Sequence, residues 1–137
     1  MNSKYVVSLD LAKKLKEAGC VQESEWYWCE PFIADENGVM PTEPILYPND
    51  EIIMQYVKKI ASAFHSGELG EMLPWKIRKP RNNQEDQIGR LQVHKTSEDW
   101  IVEYHITFDP PVISIRGYTE AESRGLMLLY LKQNNLT

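Results

Sequence analysis

The stretch IGRLQVHKTSEDWIVEYHITF, Ile88 to Phe108, decides the fold. Thr96, Ser97, Glu98 and Asp99 are turn formers set between two runs that alternate apolar and polar residues. That is the pattern of an antiparallel hairpin with one dry face. Pairing Lys95 with Trp100 sets Val93 opposite Val102 and Leu91 opposite Tyr104. The same register puts Trp100, Val102, Tyr104, Ile106 and Phe108 on one face, because a strand repeats every two residues. The opposite face carries Gln92 across from Glu103 and Arg90 across from His105, and is expected to be wet.

Moving outward from the hairpin, Pro110 and Pro111 end the second arm and Val112–Ile115 predicts a further strand. Thr119-Glu120-Ala121-Glu122 then has the form of a capping box, with Thr119 on the N3 amide and Glu122 reaching back. A helix follows to about Asn134, apolar almost all round from Leu126 to Leu131, and so either sunk in a core or shared with a partner. Gly125 would let its backbone approach a sheet closely.

Upstream of the hairpin, Trp75-Lys76-Ile77-Arg78-Lys79 alternates as an edge strand does. A short helix is expected from Ser66 as cap, through Glu68, Leu69, Met72 and Leu73, to a stop at Pro74. Asn49 caps a predicted second helix carrying Ile52, Ile53, Tyr56, Val57 and Ile60 at helical spacing; Ile60–Phe64 reads equally as a strand. Asp35 to Pro48 reads as a long loop broken at most by a short strand at Ile45–Tyr47. Trp26–Cys29 is a strand with aromatic rings on both faces. Ser8 caps a first helix with Leu11, Leu15 and Ala18 on one stripe, closed by Gly19, with Cys20 folding back on Leu15.

The expected fold is one α+β domain over residues 1–137, with the N- and C-terminal helices packed on one face of an antiparallel sheet. That sheet is expected to take Trp26–Cys29, Trp75–Lys79, Ile88–Lys95, Trp100–Phe108 and Val112–Ile115. At 137 residues, with 42% hydrophobic and 26% charged side chains, such a domain needs neither disulfide nor metal to hold a core. Met1 to Val7 lack the apolar core of a signal peptide, and Leu126–Leu131, the longest apolar run, is far short of the ~20 residues of a membrane span. A cytoplasmic location without membrane attachment is therefore expected. Cys20 and Cys29 lack CxxC spacing and are expected as free thiols.

No motif for catalysis stands out. The chain lacks a Gly-x-Ser-x-Gly elbow, and its seven glycines are scattered singly. Neither a cofactor nor a metal is expected, since His94 and His105 lie roughly 13 Å apart along the hairpin at ~3.3 Å per residue. Glu68 with Glu71 and Glu120 with Glu122 sit where acids complement helix dipoles. His65 is expected to serve only its loop.

Two surfaces remain. Between Trp75 and Lys95 there are six basic side chains against two acidic ones, whereas the rest of the chain holds nine basic and eighteen acidic and the net charge is −5. Trp75, Lys76, Arg78, Lys79 and Arg81 are thus candidate nucleic-acid contacts, with the basic side chains on phosphates and Trp75 on a base. Trp26, Trp28, Met127 and Tyr130 are candidates for an interface with a protein partner or a second copy.

Three blocks carry a family resemblance: LAKKLKEAGCVQESEWYW (Leu11–Trp28), AFHSGELGEMLP (Ala63–Pro74) and TEAESRGLMLLYLKQNNL (Thr119–Leu136). Together with the Trp100–Tyr104 strand, they resemble, in order, small uncharacterised proteins of bacterial phages, prophages and related mobile elements. Pro44–Ile60 stands as an expansion of that pattern. The resemblance implies a phage-type accessory protein acting inside a bacterial host and assigns no site residue. The expected role is non-enzymatic protein interaction, with nucleic-acid contact through residues 75–81 as the alternative and a small enzyme third.

Overall fold

The computed structural model describes residues 2–35, 37–52, 57–81, 84–106 and 111–136; of these, side chains 32–35, 39–41 and 84 are left out of the description. Among the described residues, three α-helices, α1 (Leu9–Glu17), α2 (Ser66–Met72) and α3 (Glu120–Gln133), accompany eight strands. These are β1 (Trp26–Asp35), β2 (Gly38–Pro41), β3 (Ile45–Pro48), β4 (Val57–Ser62), β5 (Lys76–Arg81), β6 (Gln84–Lys95), β7 (Trp100–His105) and β8 (Ile113–Gly117). All pairings are antiparallel. The class is α+β, as the patterning implies.

The expected hairpin register holds from Lys95–Trp100 to Arg90–His105, and Phe108 lies outside the described residues. Lys95 faces Trp100, Val93 faces Val102, Leu91 faces Tyr104 and Arg90 faces His105. β5 and β8 extend it to a four-stranded meander in the order β5-β6-β7-β8. Its inner face is built from the cross-strand rows Leu91–Tyr104–Ile113 and Val93–Val102–Ile115, with Ile77 on β5. α3 packs on β7 and β8, burying Met127, Leu128, Leu129 and Leu131 in the same core as Val102 and Tyr104. Burial of one such side chain contributes on the order of 2 kcal/mol, which explains why a helix with apolar residues on every side is stable here.

The strand Trp26–Cys29 does not join this sheet, which corrects the five-stranded expectation. β1 pairs with β3 and β4 along its first half and with β2 along its second, forming a separate sheet. The expected second helix is corrected as well. Asn49–Glu51 makes a single 3-10 turn and Val57–Ser62 is strand β4, while 53–56, with Ile53 and Tyr56, lie outside the described residues. Apolar residues at Ile52, Val57 and Ile60 suit either structure; pairing with β1 decides for the strand. The segment from Asp35 to Pro48, read as loop, also contains β2.

α1 connects the two halves, packing on β4 and on α3. Its end follows the sequence reading. Gly19 adopts φ +93°, its amide bonds the Lys16 carbonyl at 3.1 Å, and the Cys20 amide bonds that of Leu15 at 3.0 Å. A Cβ on Gly125 would come within 2.8 Å of Leu11 and Val7, so that glycine admits α1 and the segment before it, and not a sheet. Thr119 caps α3 as expected, accepting from the Glu122 amide at 3.0 Å. Glu122, however, reaches to the Ser8 amide and so ties the start of α3 to the cap of α1.

Candidate functional site

Among the described residues, no helix packs on the side of the meander turned away from α3. Three cross-strand rows compose it: Lys76–Arg90–His105, Gln92–Glu103–Ser114 and His94–Ile101–Arg116, with Arg78 opposite Ile88. The alternation that drives Leu91, Val93, Val102 and Tyr104 inward turns these side chains outward. Lys76, Arg78, Arg90, Gln92, His94, Ser114 and Arg116 are exposed and His105 is half-buried. The face therefore carries four permanent cations from three strands, β5, β6 and β8. Arg78 has Asp86 at 3.7 Å, a solvent-open and weak pair, and Arg116 has the partly buried Asp99 at 3.5 Å. Lys76 and Arg90 have no carboxylate partner among the described residues.

The middle of this face is drier than alternation suggests. Ile101 is 8% exposed and Glu103 is 7% exposed, covered by the longer side chains of neighbouring strands. Glu103 Oε1 lies 3.1 Å from His105 Nε2 and 3.9 Å from His94 Nδ1. The ~13 Å expected between His94 and His105 from strand rise holds for the backbone and not for the rings. Both nonetheless lean onto the carboxylate between them.

The basic segment predicted from sequence divides between two sides. Lys76 and Arg78 stand on the open face, whereas Ile77 is buried and Lys79, with the same parity, is half-buried. Arg81 is exposed and its Nε donates to the Glu85 carbonyl at 2.8 Å. Trp75 is 64% exposed at the end of β5, with Lys76 Nζ 4.9 Å from its ring centre. Arg90, Arg116, His94 and His105 were not singled out for this role. The hairpin register already put Arg90 and His105 together; continuing it onto β5 and β8 collects the rest.

The residues expected at a protein interface lie elsewhere. Met127 is fully buried against its own chain, so it offers nothing to a partner, which corrects that expectation. Tyr130 is half-buried against the main core. Trp28 is half-buried on the same core and its Nε1 donates to the Val7 carbonyl at 3.0 Å. Trp26 is half-buried beside a shallow hollow of ≈ 570 Å³ lined also by Pro48, Asn49 and Glu68. The face of β1 opposite the tryptophans is covered from within: Tyr27 and Cys29 form a small cluster with Val57, Tyr47 and Ile52.

Other polar constellations are structural struts. His65, placed one residue outside the helix cap by sequence, is itself the cap of α2, its Nδ1 accepting from the Gly67 and Glu68 amides. Glu68 returns the bond to the His65 amide at 3.1 Å and holds the Ser24 hydroxyl at 2.9 Å. Burial pushes the thiols of Cys20 and Cys29 up from their ordinary range, so both stay protonated at neutral pH and are weak nucleophiles. No protein-family model, curated protein or solved structure matches this chain. No helix among the described residues is long and apolar enough to cross a membrane.

Proposed function

We propose that this protein is an accessory factor that contacts single-stranded nucleic acid across the open face of the β5–β8 meander. The observation that carries the reading is the concentration of Lys76, Arg78, Arg90 and Arg116 on one helix-free face of a chain whose net charge is −5. An acidic protein that displays a cationic face has a surface matched to a polyanion. Four strands at ~4.8 Å spacing make a platform roughly 15 Å wide. A flat platform of that width does not enter a major groove ~12 Å across, but an unpaired strand lies over it freely. The face has no aromatic row for stacking, so phosphates supply most of the attraction and binding tolerates sequence. Trp75 stands at its border as the one exposed tryptophan.

For the protein-interaction reading, Leu126–Leu131 and Trp28 pack in the main core, while Trp26 stays half-buried beside its hollow. The resemblance to phage and prophage proteins supports a bacterial host as the setting, where unpaired strands arise in replication and recombination.

Fluorescence anisotropy with a labelled single-stranded oligonucleotide tests the proposal. Binding is expected at low salt, with a slope of log K against log salt of about −3 for four phosphates. The variant K76Q/R78Q/R90Q/R116Q, checked for folding by circular dichroism, is expected to lose it. No binding at low salt, or equal binding by the folded variant, overturns the reading.

A further inference from the structure

The centre of the cationic face is occupied by a carboxylate. Glu103 opposes the attraction of the face for phosphate, and it is held away from water on the middle row of the sheet. Its neighbours are mostly cationic or protonatable. β6 presents Arg90 and His94 beside the neutral Gln92, β8 presents Arg116 beside Ser114, and His105 follows two residues on along β7. Lys76 lies one strand further out, and Asp99 at the hairpin turn faces Arg116. The nearest groups to Glu103 are thus two imidazoles, which are the side chains that change charge between about pH 5 and 8.

His105 has an oxygen near each ring nitrogen. Its Nε2 lies 3.1 Å from Glu103 Oε1 and its Nδ1 lies 3.4 Å from the Ile106 carbonyl oxygen. An imidazolium, which has a proton on each ring nitrogen, would donate to both oxygens at once. His65 differs in the same chain: its Nδ1 accepts from the Gly67 and Glu68 amides.

We propose that His94, Glu103 and His105 form a proton-operated charge switch at the centre of the nucleic-acid face. With both imidazoles neutral the cluster carries −1 and repels phosphate. With both protonated it carries +1, and the face passes from a weak to a strong polyanion binder as pH falls. This rests on the reading of the open face as a nucleic-acid surface.

The test is oligonucleotide binding between pH 8 and 5.5 at fixed ionic strength. The wild-type chain is expected to bind roughly tenfold tighter at the acid end, with a salt slope steeper by about one. H94Q/H105Q is expected to flatten that dependence, which removes any contribution from His65. Glu103→Gln is expected to tighten binding at pH 8 and to move the rise to lower pH, because the imidazoles lose the anion that favours their charged form. Binding that is independent of pH, or that rises equally in H94Q/H105Q, overturns the switch and leaves the nucleic-acid surface standing. Absence of binding at every pH at low salt overturns both.

Discussion

The three histidines of this chain fall into two settings, His65 at the cap of α2 and His94 with His105 on Glu103. The Nδ1 of His65 replaces a hydroxyl or carboxylate as the acceptor at the start of α2. His65→Ala is therefore expected to cost about 1 kcal/mol of unfolding free energy, and His65→Asn, which keeps an acceptor, much less; urea titration measures both. Tyr104 is the buried polar group with most at stake. Its hydroxyl donates to the Pro74 carbonyl at 2.7 Å, pinning the turn before β5, and burial pushes its ionisation well above the ordinary range. Cys20 and Cys29 are raised by burial too, from ordinary values of 9.0. In all three the folded state holds its proton where the unfolded chain has released it, so stability falls as pH rises through about 9 and beyond. Denaturation midpoints between pH 7 and 10.5 are expected to drop accordingly, and Y104F is expected to flatten the upper part of that decline. None of these pairings shows in the sequence, because the partners of His65 Nδ1, Tyr104 and Glu103 depend on side-chain reach and not on spacing.

Elements with a strict local period were legible, and elements defined by distant partners were not. The hairpin of β6 and β7 follows from alternation and a short turn, and α1 and α3 from caps with matching stripes. β4 was misread because its burial does not alternate: Ala61 and Ser62 are both buried, a pattern a helix end would share. β1 was read as a strand but given the wrong neighbours, since nothing in its own residues points to positions 45–48 or 57–62. The joint between β8 and α3 is a further feature of this scale. A Cβ on Gly117 would lie 2.5 Å from the Ser123 nitrogen and 2.8 Å from its Cα, backbone atoms that yield only if the helix shifts. Gly117→Ala is expected to destabilise by about 1–3 kcal/mol through overpacking, read as a lower urea midpoint at unchanged m-value.

At the scale of the whole molecule, the meander separates two environments. One side joins α3 in the core, and the other gathers Lys76 and Arg78 of one strand with Arg90 and Arg116 from two others. Half of that candidate site was legible as the charge-rich run after Trp75; Arg90 and Arg116 join it only through register. The account makes this open face the surface that meets nucleic acid. The most direct measurement is the map of amide and side-chain NMR shifts on titration with a short single-stranded oligonucleotide at low salt. Perturbations are predicted at Lys76, Arg78, Arg90, Gln92, His94, Ser114 and Arg116, with α1 and α3 unmoved. Shifts confined to the helices or to the β1–β4 sheet, or no shifts at all, would contradict it.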